Sequence, residues 1–115
     1  MEYTEQIPIH NGEGIYSKDI GRGKTIKGNL TILSPDDGTW DIKFYDKDKP
    51  EVEGKLCGED SGIKKDKPAL LPDYEMEHHL LVIYFKWSEH RDTTLKVDIK
   101  HEVNNNKKLF MYSER

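Results

Sequence analysis

His79-Leu80-Leu81-Val82-Ile83-Tyr84-Phe85-Lys86-Trp87 is the stretch whose reading decides the fold class. It is apolar at odd and at even positions, and it is rich in β-branched and aromatic types. A run of this length and kind predicts a central strand, covered on both faces. On the C-terminal side, Ser88 to Asp92 reads as a loop. Leu95, Val97, Ile99 and Val103 then alternate with Lys96, Asp98 and Lys100, the pattern of a strand with one wet face. If Leu95, Val97 and Ile99 share a face with Ile83, Phe85 and Trp87, the two strands pair odd to odd, because a slip by one residue sets charges against the apolar row. Asn104-Asn105-Asn106 predicts the next turn, and Leu109 to Tyr112 a last strand.

On the N-terminal side, residues 58–75 read as a long connection broken by Gly58, Gly62, Pro68 and Pro72, with at most one short helical turn in the 63–76 segment. Before it, Ile26 to Tyr45 reads as the clearest hairpin. Ile26, Leu30 and Ile32 fall on one face, Ser34-Pro35-Asp36-Asp37-Gly38 turns the chain, and Trp40, Ile42 and Phe44 alternate with Asp41 and Lys43. Asp46-Lys47-Asp48-Lys49-Pro50 is a second turn, and Val52, Gly54 and Leu56 suggest a weaker strand. Gln6 to Ile9 and Gly14 to Ile20 complete the set. The expectation is a single all-β domain over residues 1–115, an antiparallel β-sandwich or flattened barrel of seven or eight strands. In a simple meander, Asp36-Asp37, the 58–75 loop and Asn104–Asn106 share one end. Asp46-Asp48 and Glu89–Asp92 share the other.

Composition agrees. Among 115 residues there are ten Ile, four Val and six Thr but one Ala, a balance against helix. Leu, Ile, Val and Phe number 26, which predicts a thin core of large side chains. The net charge of −4 with interspersed signs lacks the basic excess of a nucleic-acid-binding domain. Cys57 is the one cysteine, so neither a disulfide staple nor a cysteine zinc cluster is expected. Residues 1–14 are polar without a signal-type apolar core, and no run of about 18 apolar residues exists. These features predict a soluble cytoplasmic protein with no membrane or nucleic-acid partner.

The chemical motifs are weak. Gly21-Arg22-Gly23-Lys24-Thr25 has the end of a phosphate-binding loop, but Lys18 stands where a glycine is needed and a strand follows. His79 and His101 could join a carboxylate around zinc if their strands are neighbours. The acidic turns could hold calcium, but lysines interleave with the acids. Cys57 needs a base that spacing cannot supply. No catalytic residue, metal or cofactor is therefore assigned.

One feature stands out. The odd face of the 79–87 strand suffices for a core, yet its even face carries Leu80, Val82 and Tyr84. Leu109-Phe110-Met111-Tyr112 is likewise apolar on both faces. Either the 63–76 segment, with Ile63, Leu70, Leu71, Tyr74 and Met76, folds over that second face, or a partner does. The preferred function is a small non-enzymatic binding protein of inhibitor, immunity or anti-defence type. It would bind another protein, or itself as a homodimer, through Leu80, Val82, Tyr84, Phe110 and Tyr112. Two alternatives are a carbohydrate- or small-molecule-binding module, with or without calcium, and a small hydrolase using His79, His101 or Cys57. A concave pocket would favour the small molecule, and a flat patch a protein.

Overall fold

The computed structural model describes residues 2–105, and every regular element in that span is a strand. They are β1 (Glu2–Ile9), β2 (Glu13–Asp19), β3 (Lys24–Ser34), β4 (Trp40–Lys47), β5 (Lys55–Ile63), β6 (Ala69–Leu70), β7 (Tyr74–Glu75), β8 (Leu80–Trp87) and β9 (Thr93–Asn105). Period-two alternation gives β1, β3, β4, β8 and β9 an apolar face, and such faces must cover each other. The result is an antiparallel sandwich. The first sheet has the order β1-β9-β3-β6, with β7 also beside β3, and the second has the order β2-β8-β4-β5. Between them lie Ile7 and Ile9, Ile26, Leu30 and Ile32, and Leu95, Val97 and Ile99 from the first sheet. The second contributes Trp40, Ile42 and Phe44, and Leu81, Ile83, Phe85 and Trp87. Trp40 and Trp87 stack with centroids 5.4 Å apart, and Phe85 meets Trp40 edge-on at 6.3 Å. As expected, β8 is central in its sheet. The expected strand at Leu109–Tyr112, with Phe110 and Tyr112, lies outside the described residues.

The turn after Ser34 does not make a hairpin. β3 pairs with β9, and β4 pairs with β8. Residues 35–39 instead arch from one sheet to the other. Two strands that face each other across a core carry the same alternation as two strands side by side, so the pattern cannot tell an arch from a hairpin. The same holds for β8 and β9, whose odd positions meet across the core and not in one ladder. Among the described residues, β4 and β5 are the only consecutive long strands that pair.

Arches regroup the turns. Residues 10–12, 35–39 and 88–92 share one end, where Gly12 N donates to Arg91 O at 3.0 Å and Arg91 reaches Asp37 at 2.8 Å. Asp36-Asp37 and Glu89–Asp92 are thus neighbours, contrary to the meander expectation. Of the three asparagines expected to turn, Asn106 lies outside the described residues, and Asn104 and Asn105 continue β9 opposite Thr25 and Lys24 of β3. There the ladder supplies the backbone bonds that a turn would otherwise leave to asparagine side chains.

The connection expected over 58–75 is shorter than its glycines suggest. β5 takes Gly58 and Gly62 into an edge strand, with register shifts opposite Phe44/Tyr45 and Trp40/Ile42. An edge tolerates such bulges. Val52 stays outside that strand. In place of a helical turn, β6 and β7 add to β3, where Leu71 N donates to Gly28 O and Met76 N to Lys24 O, both at 2.9 Å. This strap buries Ala69, Leu71 and Met76 at the open side of the sandwich. Gly28 is required because the β9 backbone passes so close that any Cβ there would run into Lys100 O and His101 Cα.

Asp46 fastens the strap. It sits two residues beyond Phe44 on the inner face and is fully buried. Its carboxylate accepts hydrogen bonds from Tyr74 Oη at 2.9 Å, Glu77 N at 2.8 Å and His78 N at 3.1 Å. Burial and the Asp46 carboxylate together push the Tyr74 hydroxyl pKa well up.

Candidate functional site

The outer face of the second sheet is the candidate site. Alternation turns Leu80, Val82 and Tyr84 of β8 away from the core, with Tyr45 and Lys47 of β4 and Ile15 of β2 beside them. Register sets them in rows: Ile15–Tyr84–Lys43, then Ser17–Val82–Tyr45–Leu56, then Asp19–Leu80–Lys47. A charged row, Glu13–Lys86–Asp41, borders one side. The 63–76 segment does not cover this face. It runs along β3 of the other sheet, and Leu70, expected in the cover, is 76% exposed.

The rows close partly on themselves. Tyr45 and Tyr84 stand edge to face, with centroids 5.2 Å apart. The Lys47 ammonium lies 5.1 Å from the Tyr84 centroid and 5.9 Å from that of Tyr45. It donates to Tyr84 Oη at 2.7 Å and to Pro50 O at 3.4 Å. Val82, next in register to Tyr45, is 1% exposed, so it supports the face from below; Leu80 and Tyr84 remain partly accessible. Ile15 at 53% and Leu56 at 44% exposure extend the apolar surface on either side. Tyr45, Lys47, Glu53, Gly54 and Tyr84 line a shallow trough of about 400 Å³, open to solvent.

Ile15, Tyr45, Lys47 and Leu56 went unassigned at the sequence level. Asp46-Lys47 reads as a solvated turn because both residues are charged. The signal was in the parity: stepping by two from Trp40, Ile42 and Phe44 leads inward to Asp46, and stepping from Tyr45 leads to Lys47 on the outer face.

His79 marks the edge of this face. Its Nδ1 lies 3.1 Å from Asp19 Oδ2 and its Nε2 2.7 Å from the Asp48 carbonyl oxygen. Both partners are acceptors. A neutral imidazole carries one N–H, so only the doubly protonated ring satisfies both. The Asp48 carbonyl, then the Asp19 carboxylate, raise the His79 pKa above its ordinary value. A group whose pKa rises on folding stabilises fully below its unfolded pKa, and that contribution fades as pH climbs through the folded one. The stability advantage of wild type over His79→Gln should therefore be largest near about pH 5.5 and shrink above about pH 6.5. Urea denaturation of both proteins at acidic and alkaline pH checks this, and an equal gap at both counts against the clamp.

The other sequence candidates do not converge. His101 belongs to the opposite sheet, edge-on to Tyr3 at 5.4 Å, where burial lowers its pKa and Lys18 adds to the effect. Cys57 is half-buried; burial, with Asp46 adding, pushes its thiol up to about 11, the opposite of what a nucleophile needs. Where the acidic loops meet, a cation of the chain stands between their carboxylates. Arg91 pairs with Asp37 at 2.8 Å and Glu89 at 3.5 Å, stacks 4.5 Å over Trp87, and holds the Asp37 carboxyl below the usual range. Among the described residues no three His, Cys, Asp or Glu side chains gather as a metal site. None of those residues forms a helix long and apolar enough to cross a membrane.

No protein-family model and no curated protein matches this sequence. The functional reading therefore rests on the face itself.

Proposed function

We propose that this chain is a non-enzymatic binding protein that lays the outer face of its second sheet against another protein, in the manner of an inhibitor, immunity or anti-defence factor. The observation that carries this reading is the exposure of Ile15 and Leu56 at the two ends of adjacent rows centred on Tyr84 and Tyr45. Such a surface has the make-up of an interface, with an aromatic and aliphatic centre bordered on one side by a charged row. The shallow, open trough favours a protein over a buried small molecule. The reading includes a cytoplasmic location, supported by a lone, half-buried cysteine.

The test uses three tagged baits: wild type, the double variant Ile15→Asp/Leu56→Asp, and Leu70→Asp on the other sheet. All three should melt within a few degrees of one another, since the replaced side chains are exposed. A host protein captured by wild type, identified and purified, should bind wild type and Leu70→Asp but not the double variant. Equal binding to the double variant would refute the assignment. A wild-type mass of twice the chain in light scattering, reversed by the double variant, would make the occupant a second copy.

A further inference from the structure

Resting on this reading, we infer that the partner segment seated on the face carries a single carboxylate side chain that pairs with the Lys47 ammonium. Lys47 is 6% exposed, yet its partners are all neutral: the Tyr84 hydroxyl, the Pro50 carbonyl and two tyrosine rings. None of the ion pairs formed by the described residues includes Lys47. Lysine is almost never buried without a counter-charge, because the ammonium gives up hydration that neutral oxygens replace only in part.

The geometry has room for an anion. An ammonium has three N–H donors, and two of Lys47's are in use. Tyr84 Oη accepts from Lys47, so its own proton remains free to donate. Both residues line the trough, and a carboxylate seated there takes one hydrogen bond from each. Charge-assisted bonds of this kind are among the stronger polar contacts.

The surroundings narrow the class. Glu53 lines the same trough, and its charge disfavours a dianion such as phosphate more than it does a single carboxylate. The net charge of −4 likewise disfavours an acidic tract. With Ile15 and Leu56 on either side, the fitting segment is one Asp or Glu flanked by apolar residues.

The experiment is selection of a random linear peptide library, termini blocked, on immobilised wild-type protein. Enriched peptides are then resynthesised and titrated against wild type, Lys47→Met and the Ile15→Asp/Leu56→Asp variant. Each peptide is also made with its acid replaced by the matching amide, an arm that needs no protein variant to fold. The expected result is enrichment of one Asp or Glu between apolar residues. Affinity should fall roughly tenfold or more for the amide peptide and for Lys47→Met. Peptides without an acid, or with affinity unchanged in both arms, overturn the inference. If such peptides still lose binding on the Ile15/Leu56 variant, the docking face stands without the carboxylate. No enrichment, or peptides indifferent to that variant, overturns both.

Discussion

Val82→Asp should destabilise the protein by about 3–5 kcal/mol, a large share of the margin of a small domain. Val82 is 1% exposed and flanked in register by Ser17 and Tyr45. Aspartate is too short to carry its charge to water from there, so the carboxylate stays buried and costs far more than the lost methyl contacts. Lys47 stands one row along and would answer part of that charge. For this reason Val82→Asp combined with Lys47→Met should cost more than the two changes summed. Urea denaturation followed by tryptophan fluorescence measures all three. A loss under about 1 kcal/mol for Val82→Asp would mean that the face is open at Val82, and that this residue can touch a partner directly.

Asp46→Leu should cost about 3–6 kcal/mol. The carboxylate serves three donors, and an apolar replacement strands the Tyr74 hydroxyl and the amides of Glu77 and His78 at roughly 1–3 kcal/mol each, partly relieved by relaxation. Asp46→Asn keeps an accepting oxygen and should lose only about 1–2 kcal/mol. Hydrogen exchange should locate the damage, with the amides of Leu71 and Met76 losing protection ahead of those in β8. If Asp46→Leu is as stable as wild type, the strap is held by its apolar residues alone.

The double-sided apolar run of β8 announced its central place, and parity sorted Trp40, Ile42 and Phe44 from Asp41 and Lys43. Pairing partners were not readable, because an arch and a hairpin share turn residues and alternation. Nor did the chain announce Asp46 and Lys47. Their burial depends on groups brought from afar, Tyr74 and His78 for one and Tyr84 for the other, and a charged pair before a proline looks like surface. The candidate face was half visible: Leu80, Val82 and Tyr84 came from one strand, whereas Ile15 and Leu56 join them only once β2 and β5 take their places in the sheet.

The strand order has a consequence for how the molecule comes into being. β1 waits for β9 and β2 for β8, while β3 has only the short β6 and β7 beside it until β9 follows. A chain leaving the ribosome therefore exposes β1 and β2 without their ladder partners until β8 and β9 have followed. Such distant closures carry a large entropic toll before any ladder forms, so assembly should be slow for its size and concentrated in one late event. Until then the charges that crowd this small chain are what keep its sticky ribbons apart.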